Sequence, residues 1–259
     1  MSRNKKAILV VSFGTSHADT RQKTIEQIEN RIREAFPEIP VYRAWTSSVI
    51  RRILKKRDGY MVNSVAEAFA QMKEDGITEV TVQPTHILNG IEYDRMSEEI
   101  AGIREDFEKV RTGAPLLAGP GDISEIVEIV KDHWKHIPDN EAVVFMGHGT
   151  SHDANSVYEA LDRAFRDEQR SRFFIGTVEA YPDMEGLIRQ VEQSGAEKVH
   201  LAPFMVVAGD HAKNDMAGDD EGSWLNQFKR RGFEAECHIE GLGEYEKVQA
   251  MYVRHVREA

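Results

Sequence analysis

A single cysteine, Cys237, is all the thiol chemistry this 259-residue chain carries. That excludes an intrachain disulfide and any thiolate cluster for zinc or an iron–sulfur centre. A metal bound here must be held by His, Asp and Glu. Long apolar runs are missing too, since none approaches the ~18 residues that a membrane-spanning helix requires. Arg3, Lys5 and Lys6 ahead of the apolar run at 7–13 imitate a secretory signal. The run is at the short limit and no small-residue cleavage site follows, so a buried strand is expected. Positive charge is scarce: 33 Lys and Arg stand against 44 Asp and Glu, a formal net charge of −11. Nucleic acid is therefore a poor partner, and an anionic small molecule would need a local basic patch. No membrane partner is expected, and assembly into a homo-oligomer is left open. The chain lacks a Gly-x-x-x-x-Gly-Lys-Ser/Thr loop for ATP and a Gly-x-Gly-x-x-Gly turn for a nicotinamide. It lacks Gly-x-Ser-x-Gly and His-Glu-x-x-His as well, which removes the common hydrolase and metalloprotease signatures.

What the chain does have is alternation. Short apolar strands are predicted at 8–12, 41–45, 79–85, 115–118, 143–146, 173–178, 198–204 and 235–239. Amphipathic helices are predicted at 21–36, 64–75, 97–108, 124–136, 156–169, 184–194, 223–231 and 245–257. This is the pattern of α/β folds whose parallel sheets are covered on both faces. The halves also echo each other. Gly14-Thr15-Ser16-His17 recurs as Gly149-Thr150-Ser151-His152, and Pro84 leads to Gly90 as Pro203 leads to Gly209. Duplication of a four-strand unit follows, with lobes at about 1–125 and 126–259 facing each other across a cleft. Ligands of such sheets bind beyond the carboxyl ends of the strands.

Three polar residues fall just past those ends in the second half: His148, Glu179 and His211. Singly, a histidine after a strand is most often a surface or hydrogen-bonded residue. Together, two imidazoles and a carboxylate at neighbouring strand ends suit a divalent first-row metal with positions left open. Glycines on both sides of His148 allow close approach of a bulky ligand. In the repeat His211 aligns with Glu92, an acid that would face the metal from the other lobe; spacing alone favours a solvated acid at a helix start. His17, His152 and His200 read as structural, and His86 as a supporting residue behind the site. The run Arg51-Arg52-Ile53-Leu54-Lys55-Lys56-Arg57 is either a solvated helix face or the best local field for an anion. Arg52, Lys55 and Lys56 share spacings of three and four and are the nominated set, with Thr46, Ser47 and Ser48 offering hydroxyls nearby.

Several segments are similar to the anaerobic sirohydrochlorin cobaltochelatases, the CbiK type of class II chelatase. They are Leu9-Val10-Val11-Ser12-Phe13-Gly14-Thr15-Ser16, Arg57-Asp58-Gly59, the stretch from His86 to Tyr93, Val144-Phe145-Met146-Gly147-His148-Gly149, Val178-Glu179-Ala180-Tyr181-Pro182, and the stretch from Val207 to Ala217. The resemblance implies two α/β lobes and ATP-independent insertion of Co²⁺ into sirohydrochlorin, with the cytoplasmic branch of the family expected. It also implies ligation by His148, Glu179 and His211, with Glu92 as the acid opposite the metal. Nickel or iron insertion, or a non-catalytic carrier of tetrapyrrole or metal, remain the alternatives.

Overall fold

The computed structural model describes residues 5–166 and 171–259; Arg3 and the end of the helix expected at 156–169 lie outside them. In chain order the strands are β1 Lys6–Ser12, β2 Val41–Trp45, β3 Glu79–Pro84, β4 Lys109–Thr112, β5 Glu141–Gly147, β6 Phe173–Thr177, β7 Lys198–Pro203 and β8 Glu234–Cys237. The helices are α1 Ala18–Lys23, α2 Ile25–Ala35, α3 Ser48–Asp58, α4 Val65–Glu74 and α5 Ile91–Ile103. They continue with α6 Pro120–His133, α7 Ser156–Arg166, α8 Met184–Ser194, α9 Trp224–Arg230 and α10 Glu246–Glu258. Among the described residues no helix is long and apolar enough to cross a membrane.

Two four-stranded parallel sheets result, ordered β2-β1-β3-β4 and β6-β5-β7-β8. The expected α/β architecture is thus present twice, with one strand order. The central strands β1 and β5 are buried from their second residue onward, on both faces. That explains why they read as continuous apolar runs rather than alternating ones. The repeat extends to the turns. Gly14 and Gly149 both take positive φ, 100° and 80°, just past β1 and β5. Thr15 and Thr150 then accept from the amides of His17 and His152 at 3.2 and 3.1 Å.

Some elements differ from expectation. The helix expected at 21–36 is broken at buried Thr24, whose hydroxyl donates to the Thr20 carbonyl at 2.6 Å, so α1 and α2 are separate; such back-bonding competes with helix geometry. The helix expected at 97–108 begins earlier, at Ile91 after Gly90 as its N-cap, and ends at Ile103. The fourth strand of the first sheet is Lys109–Thr112, not 115–118. Leu116 and Leu117 are buried instead in a loop, their amides bonded to the His86 and Ile87 carbonyls at 2.9 and 2.8 Å. An edge strand of Lys, Val, Arg and Thr carries no apolar run, whereas a buried loop does.

The chain divides into two compact units, one of Met1–Ala118 with Gly243–Ala259 and one of Gly119–Leu242. The boundary expected near 125 falls inside α6, which belongs wholly to the second unit. The closing helix α10 belongs to the first, where it packs on α2 and β3 and its Tyr252 hydroxyl donates to the Thr85 carbonyl at 2.9 Å. In the second unit α6 lies beside α7, and Trp134 just past it meets Phe145 of β5 edge-on.

Candidate metal centre

His148 is the first residue beyond β5, the central strand of the second sheet. Its loop is held from two sides, which accounts for both flanking glycines. A Cβ at Gly147 would stand 2.4 Å from the Tyr158 ring, and one at Gly149 would stand 2.9 Å from the Ala180 nitrogen and the Thr177 side chain. Tyr158 lies beneath the loop, and its oxygen accepts from the Gly149 and His148 amides. Burial, the larger influence, pushes its phenol up to about 12, so it stays protonated. The ladder between β5 and β6 continues past both strands, with Val178 N–H on the Gly147 carbonyl and Glu179 N–H on the His148 carbonyl, each at 3.0 Å. Glu179 is therefore carried to His148 by backbone pairing. His211 arrives from the segment after β7, where residues His211–Met216 form one wide helical turn closed by Ala217 N–H on the Ala212 carbonyl at 3.2 Å. Wide turns of this kind recur at functional sites.

All three side chains meet within the second unit. The His148 and His211 rings are 4.7 Å apart and perpendicular. His148 Nδ1 is 3.8 Å from Glu179 Oε2, and the side chains are 37–57% exposed, open to an incoming ion. Each imidazole has its Nδ1 engaged. That of His148 donates to the Gly149 carbonyl at 2.7 Å, and that of His211 donates to Asp215 Oδ2 at 2.6 Å. Fixing the proton on Nδ1 leaves the Nε2 lone pair as the ligand and orients the ring. Asp215 is the residue that sequence reasoning missed. Its signal is there: one helical turn after His211, an acid at i+4 faces the same way. The three side chains are not closed into a tight set. Among the described residues the donor atoms that all lie within 4.8 Å of one another belong to a different trio, His200, Glu236 and His238. Closing His148, Glu179 and His211 on an ion requires side-chain rotation, which their exposure permits.

The other nominated residues lie in the first unit. Glu92 occupies the first turn of α5 and pairs with Arg95 at 2.8 Å. The basic run forms α3, with Ser47 as its N-cap accepting from the Ile50 amide. Ser47 is thus committed to the helix, and Lys55, Lys56 and Arg57 in the last turn complement its dipole. Arg51 turns to Glu67 at 3.2 Å. That carboxyl is held low first by the Ser64 capping box and then by Arg51 and Lys55. Arg52 and Lys56 stay on the opposite stripe, which they share with exposed Val49 and Ile53 at spacings of three, four and seven. Phe13, just past β1, and Ile91, the first residue of α5, are also exposed, and the Phe13 carbonyl accepts from Ser47 N–H at 3.2 Å. The carboxyl edge of the first sheet therefore offers apolar and cationic side chains together.

The remaining histidines divide. His152 Nδ1 accepts from the Ala154 amide at 3.0 Å, while His17 starts α1 without a side-chain cap. Both ring nitrogens of His86 are buried without a hydrogen-bond partner, and burial pushes its pKa down to about 4. Cys237 is half-buried, and burial raises its thiol to about 11, which removes it as a ready thiolate.

The family described as cobalt chelatase (CbiK) matches residues 6–259. The sirohydrochlorin cobaltochelatase of Salmonella typhimurium is 39% identical over 255 residues, which are 98% of this chain and 96% of that protein. The sirohydrochlorin cobaltochelatase CbiKC of Nitratidesulfovibrio vulgaris is 36% identical over 263 residues, 98% of this chain and 90% of that one. Among solved structures, SirB from Bacillus subtilis with Fe³⁺ has a TM-score of 0.67 at 16% identity, covering 98% of this chain and 95% of its own. That last likeness concerns the fold alone.

Proposed function

The chain belongs to the cobalt chelatase (CbiK) family, and from that premise we propose that it inserts Co²⁺ into sirohydrochlorin, the ion passing through His148, Glu179 and His211. The observation that carries the reading is the meeting of those three side chains beyond three adjacent strand ends, with both imidazole Nδ1 atoms already occupied. Two neutral imidazoles and one carboxylate bind a divalent first-row ion without saturating its coordination, so ring nitrogens can replace them stepwise. The exchange balances as Co²⁺ plus a ring with two pyrrole N–H groups giving the metallated ring plus two protons. It involves no redox change and no nucleotide. Lone pairs vacated by the departing ion are proton acceptors in their own right. Glu92, the acid the family resemblance assigns to this task, is proposed as a further acceptor.

Sirohydrochlorin is an apolar macrocycle fringed by eight carboxylates. The α3 stripe of Val49, Arg52, Ile53 and Lys56 matches that character, and in a chain of net charge −11 it is proposed to hold part of the carboxylate rim. We place the reaction in the cytoplasm, without ATP or a nicotinamide.

The test is anaerobic incubation of sirohydrochlorin with the protein and Co²⁺, Ni²⁺ or Fe²⁺, followed by absorbance. Expected is repeated Co²⁺ turnover that falls at least tenfold in His148→Ala, Glu179→Ala or His211→Ala, about 1.4 kcal/mol each. Double variants should be little worse than singles, because the three share one ion. Conversion that stops at one ring per chain would make the protein a carrier, and a faster reaction with Ni²⁺ or Fe²⁺ would reassign the metal.

A further inference from the structure

His200, Glu236 and His238 form a compact trio in the second unit, away from the three ligands above. Parallel pairing of β7 with β8 sets His200 opposite Glu236, and His238 follows two residues later on the same face. The donor atoms make a near-equilateral triangle. His200 Nδ1 is 2.9 Å from Glu236 Oε1 and 3.1 Å from His238 Nε2, and His238 Nε2 is 3.1 Å from Glu236 Oε1. Three donors on one face of an octahedral ion with bonds near 2.1 Å stand about 3.0 Å apart. The trio has that spacing and the composition of a two-histidine, one-carboxylate facial set.

The surroundings assign the protons. His200 is buried, and its outer nitrogen, Nε2, donates to Glu141 Oε2 at 2.5 Å. A neutral ring with its proton on Nε2 turns a bare lone pair from Nδ1 toward Glu236 and His238. A carboxylate behind a histidine is the usual device for orienting a metal ligand. Glu236 Oε2 is taken by Lys198 Nζ at 2.8 Å, which leaves Oε1 to the triangle, and Lys198 is also 3.5 Å from Glu234. Trp134 closes one side, its ring 4.8 Å from that of His238 and edge-on. With His200 protonated on Nε2, the lone pairs of its Nδ1 and of Glu236 Oε1 face each other at 2.9 Å, and only the His238 ring could place a hydrogen between them. Glu141 begins β5 and His148 follows its end, so the trio and the chelation ligands are separated by about seven strand steps, roughly 23 Å.

We propose that His200, Glu236 and His238 bind a second divalent first-row cation, of the class that favours imidazole, and that it clamps the edge strand β8 to β7. The competing arrangement is a metal-free cluster in which a doubly protonated His200 bridges Glu141 and Glu236. The two are separated with untagged full-length protein stripped by chelator and dialysed to equilibrium against Co²⁺ and, separately, Zn²⁺. Two ions per chain are expected for the wild type. One is expected for His238→Ala, a partly exposed position just past β8, and one for the His148→Ala/His211→Ala double variant. Glu236→Gln should weaken the second site at least tenfold. In the double variant Zn²⁺ should raise the melting temperature, as a ligand bound only by the folded state must. Adding His238→Ala should abolish that rise. Unchanged stoichiometry in His238→Ala, or no ion bound by the double variant, overturns the proposal in favour of the bridged imidazolium.

Discussion

Acid should unfold this protein in part through His86. Both of its ring nitrogens are buried without a partner, and burial holds its pKa down at about 4, below the ordinary imidazole value of about 6.5. The folded imidazole therefore stays neutral while the unfolded one takes up a proton below pH 6.5. Stability tied to this residue is intact above pH 6.5, is lost as pH falls toward 4, and is flat below that. The full span is about 3.4 kcal/mol, of which about 2 kcal/mol is gone at pH 5. His86→Leu removes the titration and also two unsatisfied polar atoms, each of which costs about 1–3 kcal/mol when buried. The variant should be at least as stable as the wild type at pH 8, and the gap should widen in its favour by about 2 kcal/mol at pH 5. Urea unfolding of both proteins at the two pH values measures this. The comparison cancels His238, which is also shifted down by burial, then by His200. Equal pH dependence in the two proteins would refute the reasoning and imply that His86 is charged or hydrated in the native state.

Asp215→Asn should weaken Co²⁺ binding by about 10–100-fold, read by competition with a chromophoric chelator, because His211 loses the carboxylate that fixes its tautomer. Glu92→Gln should lower turnover with little change in Co²⁺ affinity; unchanged turnover across pH 6–9 would return Glu92 to the role of partner to Arg95. Arg52→Glu/Lys56→Glu should raise the KM for sirohydrochlorin several-fold and leave Co²⁺ affinity alone. Added salt should raise the wild-type KM more than that of the variant, since screening removes the same attraction. Lys55→Glu, on the Glu67 side of α3, should have the smaller effect.

The central strands, and the polar side chains that come together beyond them, were legible because burial on both faces writes an unbroken apolar run, and a polar residue ending such a run stands out. Ile8–Val11 and Ala142–Met146 are of this kind. Edge strands leave no such trace: Lys109–Thr112 looks like solvent-facing chain, and buried Leu116 and Leu117 look like a strand. Tyr158 could not be assigned to the His148 loop, since only packing across α7 brings it under Gly147. The His200 trio was half visible. Alternation puts Glu236 and His238 on one face, but nothing local reveals that the register with β7 delivers His200 between them. The apolar stripe of α3 was hidden by its own lysines and arginines, which drew the eye to charge.

Helix α6 belongs to the second unit and α10 to the first, so the order of the chain and the order of the units do not coincide. Each half of the repeat ends with a helix that serves the other half's fold. During synthesis the second unit is contiguous and can close as soon as it leaves the ribosome. The first must wait, its α2 and β3 faces uncovered, until Glu246–Glu258 emerges; the usual order, amino-terminal domain first, is reversed. A half-length chain ending after α6 would keep a helix it cannot use and lack the one it needs. Two copies of such a chain could satisfy each other by trading that helix, the low-cost route to a domain-swapped dimer. A duplicated gene read through as one polypeptide would make the trade permanent.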